Sequence, residues 1–157
     1  MRRWLDQLLH THDTPQRTAA AYALGVFFGF SPFLGLHTIL GLGLAFALNL
    51  NRVAVLLGVY SNLPWIIGGY YAFTTWIGAL ITGVKLPADF EVRLFDLFDH
   101  SVRSRYFWDQ LGDLLRPLLI PFVVGSLIGC SLLAAAAYPL ALAFVRNRRK
   151  HPLLKHK

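Results

Sequence analysis

Long uncharged apolar runs alternate with short polar ones along this chain. Thr18 to Asn51 holds no Asp, Glu, Lys or Arg in 34 residues, Val53 to Val84 none in 32, and Pro117 to Val145 none in 29. A helix that crosses a bilayer needs about 20 mainly apolar residues. Each run exceeds that length, which argues against a buried core helix of a soluble domain. The expected fold class is all-α: a polytopic helical membrane protein with proline-broken, re-entrant or discontinuous helices and an interfacial amphipathic helix. Its expected parts are a cytoplasmic amphipathic helix over 1–16 and one membrane domain over 17–145. A basic cytoplasmic tail follows over 146–157. Within the membrane domain lie apolar segments 18–50, 53–84 and 117–145 and an amphipathic connection over 85–116.

The first two apolar runs are interrupted in the same manner. As one helix, Thr18 to Asn51 would reach about 50 Å, too long for a single crossing of a hydrocarbon core about 30 Å thick. Ser31-Pro32 divides it, because proline removes a backbone donor and clashes with the preceding turn. This predicts a short leg over 18–30 and a longer one over 33–50. In the second run a short leg over 53–61 meets Asn62-Leu63-Pro64, and a longer leg over 65–84 follows. Gly25-Val26-Phe27 before the first break is echoed by Gly58-Val59-Tyr60 before the second. Apolar segments interrupted at matching positions in two halves point to a transport site at mid-membrane. A helix broken in lipid exposes backbone groups that must be buried in protein or line a wet cavity.

Elsewhere the pattern is simpler. Trp4, Leu5, Leu8 and Leu9 recur at helical spacing among Arg2, Arg3, Asp6 and Gln7, as in an interfacial helix. Phe90, Leu94, Leu97, Phe98, Val102, Phe107, Trp108, Leu111 and Leu115 form a rough helical stripe, with six acidic residues mostly off it. The third apolar run holds Gly125, Gly129 and Ala134 to Ala137, small residues that permit close helix approach. Gly125 and Gly129 fit a small-xxx-small contact, so self-association into a homo-oligomer is expected.

Charge adds direction. Only 15% of residues are charged while 55% are hydrophobic, against about 25% charged in soluble domains. The net charge is +7, yet a nucleic-acid partner is not expected. Nine of the 15 basic residues are Arg2, Arg3, Arg17, Arg146, Arg148, Arg149, Lys150, Lys155 and Lys157, near the two ends. That distribution places both termini in the cytoplasm by the positive-inside rule, and the tail is suited to anionic lipid. The expected location is the bacterial inner membrane, multi-pass. Residues 1–13 lack the pattern of a cleaved signal peptide, so the apolar segments are expected to direct insertion. Cys130 stands alone, which excludes an intrachain disulfide and a cysteine metal cluster.

Catalytic motifs are missing: no G-x-S-x-G, no H-E-x-x-H and no Gly-rich phosphate loop with lysine. All eight acids lie outside the apolar segments. The chain is therefore read as a non-enzyme, with no cofactor and no metal. His10 and His12 point to different faces of a helix and make a poor metal pair. What remains is a polar set inside apolar sequence. The candidate ligand-binding residues are Ser31, Pro32, Gly35, His37, Thr38, Arg52, Ser61, Asn62 and Pro64. His37 is an ionisable group within a membrane segment, a functional candidate by default. Arg52 marks the turn between two runs, where its guanidinium can snorkel or hold a phosphate. Asn62 is placed to cap the half-helix that Pro64 starts.

The pattern Gly25-x3-Gly29-x2-Pro32-x2-Gly35-x-His37-Thr38, then Asn51-Arg52, then Asn62-Leu63-Pro64-Trp65, resembles a family of small bacterial membrane proteins, domain of unknown function 2062. The resemblance covers roughly residues 15–145. Leu63 stands between Asn62 and Pro64 where the family pattern has them adjacent. The resemblance implies no established activity. Similar domains occur fused to glycosyltransferases that act at the membrane, which implies a setting in lipid-linked glycan metabolism.

These readings lead to a transporter or flippase-like protein. It would handle a phosphate-bearing lipid such as a polyprenyl phosphate, or another small anion, through two facing broken-helix segments. The alternative is a non-transporting membrane scaffold or accessory partner of a lipid-linked glycosyltransferase. The transport reading expects Ser31, His37, Arg52 and Asn62 to converge.

Overall fold

The computed structural model describes residues 14–33, 35–85, 89, 92, 95–97 and 104–150. The described residues are all helical in class, with no strand among them. The helices whose full extent is described are, in order, α1 Pro15–Gly29, α2 His37–Ala47, α3 Arg52–Val59, α4 Pro64–Thr82 and α5 Arg105–Lys150. Residues 1–13 of the helix expected over 1–16, and residues 86–88, 90–91, 93–94 and 98–103 of the amphipathic connection, lie outside the described residues.

Local chemistry sets each boundary in the first half. The Thr14 hydroxyl accepts from the Arg17 N–H at 3.3 Å, and Pro15 follows at the first helical position, where its missing N–H costs nothing. The next helix does not begin until His37, eight residues after α1 ends at Gly29, a wider interruption than Ser31-Pro32 alone suggests. Gly35 is the reason, with a φ of +85° that a residue with a Cβ rarely adopts. The second leg is correspondingly shorter than expected, 37–47 rather than 33–50. It stops because Asn49 takes a left-handed φ of 52°, which asparagine tolerates. Asn51 then caps α3, its Oδ1 accepting from Val53 N at 3.1 Å and Ala54 N at 3.2 Å.

The chain forms two compact units. Among the described residues, one comprises α1, α2, α3, the first turn of α4 and α5 from Leu127; the other lies between Gly68 and Ser126. In the first, α1 and α2 form an antiparallel hairpin, and α3 returns parallel to α1. Arg17 at the start of α1 meets Leu48 and Asn49 just before α3. At the far end Gly29 of α1 meets Asn62 just after α3. The core is built from small side chains: Ala21, Ala45, Ala54, Val55 and Val59, with Tyr22, Leu24, Phe28, Leu50 and Val53 packed around them. Small residues let backbones approach, the usual way helices associate where lipid removes the hydrophobic drive.

In the second unit α4 runs antiparallel to the first part of α5. A Cβ built on Gly78 would stand 3.0 Å from the Gly125 N, and one on Gly125 3.1 Å from the Gly78 N. Tyr71 and Phe122 stack beside this crossing with centroids 5.1 Å apart. Gly125, expected to serve self-association, is thus engaged within the chain.

The helix α5 absorbs the third apolar run and begins twelve residues before it. Ser104 caps its start, the hydroxyl accepting from the Phe107 N–H at 3.1 Å. Its 46 residues extend about 69 Å. Among the described residues this is the one helix long and apolar enough to cross a membrane. Its outer surface fits: Leu119, Ile120, Leu132, Leu140 and Phe144 are all more than half exposed.

Candidate functional site

The two interruptions lie at the same end of the three-helix unit and are tied together. The Asn62 side-chain amide donates to the Gly29 carbonyl. Gly29 is the last residue of α1, so its carbonyl is among those a helix end leaves without a partner. One carbonyl earlier, Phe28 O accepts both the Ser31 N–H at 3.2 Å and the Ser31 hydroxyl at 2.8 Å. Ser31 is 1% exposed. The second interruption closes in the same style. The Ser61 hydroxyl donates to Leu57 O at 2.8 Å and lies 2.9 Å from the Tyr22 hydroxyl on α1. In a low-dielectric setting such closure matters, because an unmade hydrogen bond there costs several kcal/mol.

The starts of α2 and α4 share this end. Gly41, about one turn into α2, faces Val59 and Phe28, near the ends of α3 and α1. His37 opens α2 and is half-buried, its N–H donating to Phe33 O at 3.0 Å. Leu36 before it offers no side-chain cap. Two helix N-termini therefore lie at the same end of the unit as Ser31, Ser61 and Asn62, and helix N-termini carry partial positive charge. Pro32 and Gly35 shape the first interruption. Pro64 starts α4, and Thr38 lies half-buried in the first turn of α2.

Arg52 is not part of this group. It opens α3 at the opposite end, separated from Asn62 by the length of that helix, about 12 Å. Its guanidinium stands 4.0 Å over the Phe46 ring. Nearby, Arg17 donates to Leu48 O at 3.2 Å and Asn49 O at 2.8 Å. A cation there closes the C-terminus of α2, whose carbonyls carry partial negative charge. The convergence of Ser31, His37, Arg52 and Asn62 is thus replaced by two ends. One is polar and holds no Lys, Arg, Asp or Glu among its described residues; the other is cationic.

The roles of Tyr22 and Arg17 were not foreseen. Tyr22 sits in an apolar run and reads as core, and Arg17 reads as a topology charge. A cation one helical hairpin before an Asn-x-Asn turn was the available signal for Arg17; for Tyr22, in mid-helix nine residues before Ser31, the sequence offered none. Among the described residues no group of His, Cys, Asp and Glu could hold a metal ion.

Comparison with known proteins adds the family. The chain matches, over residues 1–153, the family described as uncharacterized protein conserved in bacteria, DUF2062. The chain belongs to that family. No curated protein and no solved structure matches it.

Proposed function

We propose that this bacterial protein is a polytopic inner-membrane protein whose paired helix interruptions form a polar site inside the bilayer for a phosphate-bearing lipid. Polyprenyl phosphate is one such lipid, and another small anion is the simpler case. The observation that carries the reading is the Asn62–Gly29 hydrogen bond. It joins the two interruptions at the end of the unit where α2 and α4 start. In support, α1 and α2 reach only about 22 and 16 Å, so neither leg of the hairpin crosses a core about 30 Å thick. A re-entrant hairpin with its tip in the membrane follows. The α3–α4 segment then provides a broken crossing, and α5 returns the chain, leaving both termini cytoplasmic. No catalytic step is assigned.

Native mass spectrometry of the protein purified gently from bacterial membranes tests this. A retained phosphate-bearing lipid, lost on Asn62→Ala and His37→Ala but kept on Leu63→Ala, is the expected result. It would justify a reconstituted flipping assay. Bulk phospholipid indifferent to those substitutions would overturn it.

One observation favours the scaffold reading, with a lipid-linked glycosyltransferase as partner. Ser31, Ser61 and Asn62 each already have a partner inside the chain. On that reading their substitution lowers thermal stability and changes nothing else.

A further inference from the structure

The helix α2 presents an apolar stripe that nothing in the described structure covers. Leu36, Ile39, Gly43 and Phe46 recur at spacings of three and four, which places them on one helix face. Leu36 is 56% exposed, Ile39 68% and Phe46 58%. Gly43 places no side chain between them, which leaves a dent in the stripe, and the space over it is open: a Cβ built there would meet nothing within 4 Å. The stripe spans eleven residues, a rise of about 15 Å, and runs from the interruption at Leu36 to the cationic end.

At that cationic end the Arg52 guanidinium lies over the Phe46 ring at 4.0 Å. Stacking occupies a face of the guanidinium and leaves its N–H edge in the plane, the edge that binds phosphate oxygens in pairs. No hydrogen bond or ion pair of the Arg52 side chain occurs among the described residues. Arg17 adds a second positive charge at the same end. Neither α2 nor α3 carries a competing carboxylate, because the sequence has no Asp or Glu from Thr14 to Ala88; Asp13 stands just before that stretch. The amides at the start of α3 do not compete either, since Asn51 already satisfies Val53 N and Ala54 N.

A phosphate-binding edge at one end of an exposed, dented apolar stripe has the shape and charge of an anionic lipid. We propose that α2 is a lipid track: a headgroup phosphate sits on Arg52, with Arg17 adding positive field, and the hydrocarbon chain lies along Phe46, Gly43 and Ile39 toward the paired interruptions. This rests on the membrane reading above and gives it a loading position distinct from the Asn62 end. A free phosphate would use only the cationic end; a lipid uses the stripe as well.

The test is native mass spectrometry of the full-length protein given equal phosphatidylglycerol and phosphatidylcholine of the same acyl chains. The wild type is expected to retain phosphatidylglycerol over phosphatidylcholine by about tenfold, the scale of one charge-assisted paired contact. Arg52→Gln should abolish the preference, and Arg52→Lys should keep only part of it. Gly43→Leu, which fills the dent in open space, should lower retention of phosphatidylglycerol severalfold with the melting temperature unchanged or raised. An unchanged preference in Arg52→Gln would overturn the track. So would undiminished retention in Gly43→Leu, or displacement of the lipid by millimolar inorganic phosphate. Recovery of the wild type as a soluble, lipid-free protein would overturn both this inference and the membrane reading. Sensitivity to Asn62→Ala with indifference to Arg52→Gln would overturn this one alone.

Discussion

Gly25 and Gly58 bring α1 and α3 together backbone to backbone: a Cβ built on Gly25 would stand 2.9 Å from the Gly58 Cα, and one built on Gly58 2.8 Å from the Gly25 Cα. Each would also press on a carbonyl three residues before the other glycine, Val55 O and Tyr22 O. Backbone cannot yield as a flexible side chain can, so even a methyl group forces the helices apart. Overpacking of this kind costs about 1–3 kcal/mol, and more where backbone must move. Gly25→Ala and Gly58→Ala should each lower the thermal midpoint in detergent by several degrees or prevent folding. Gly43→Ala, on an open face of α2, should be neutral or raise it, since alanine favours helix by about 1 kcal/mol over glycine. Equal effects at all three positions would remove the crossing from the account.

Asn62 supports a second prediction. Its amide donates to the end carbonyl of α1, and no other donor to Gly29 O is found among the described residues. Asn62→Ala leaves that carbonyl unpaired at a cost of about 1–3 kcal/mol. Asn62→Asp should cost more, since a carboxylate cannot donate and would face the carbonyl's negative end. Gln at this position keeps the amide but adds a methylene, and should fall between wild type and Ala. Thermal melts of the three variants check the order. An Asp variant as stable as wild type would show that the hydrogen bond does not hold the interruptions together.

Much of this arrangement was legible in the chain and some was not, for identifiable reasons. Pro32 and Pro64 mark both interruptions because proline's effect is local. The echo of Gly25-Val26-Phe27 in Gly58-Val59-Tyr60 marks the closest approach of α1 and α3, although nothing in the pattern says that the two copies touch. The length of α2 was misjudged because Gly35 and Asn49 end it through positive φ, which the apolar pattern conceals. The early start of α5 was missed because Pro117 reads as a boundary, yet proline is tolerated inside helices of this apolar kind. Tyr22–Ser61, Asn62–Gly29 and Arg17–Asn49 join residues more than 30 positions apart. Such contacts depend on the register between helices, which small-residue packing sets and hydropathy does not.

The cap supplied by Arg17 should be separable from its charge. Its side chain is exposed and donates to two carbonyls, Leu48 O and Asn49 O. Arg17→Gln should cost about 1 kcal/mol, because hydrogen bonds from exposed groups are partly replaced by water. Arg17→Lys should recover some of it, since an ammonium keeps the favourable interaction with the end of α2 but not the planar fork. Asn49→Gly should be tolerated at a φ of 52°, whereas Asn49→Val should cost about 1–2 kcal/mol. Chemical denaturation of these four variants distinguishes the cap from the turn; a stable Asn49→Val would contradict the turn geometry.

Membrane depth provides the most direct test of the hairpin. Cys130 is buried, and replacing it with serine gives a background without thiols. Single cysteines at Asn49, which is exposed at the cationic end, and at Leu63, which is 40% exposed beside the second interruption, then report the two ends separately. In inside-out vesicles Asn49→Cys should react rapidly with a membrane-impermeant maleimide, because the turn before α3 lies at the cytoplasmic surface in the proposed arrangement. Leu63→Cys should react slowly from either side, since α3 carries it about 12 Å or more inward. Rapid reaction of Leu63→Cys from the cytoplasmic side alone would mean a water-filled path to the paired interruptions, which the transport reading accommodates and the scaffold reading does not. Rapid reaction from the opposite side alone would mean that the first hairpin crosses the bilayer, and the re-entrant arrangement would have to be given up.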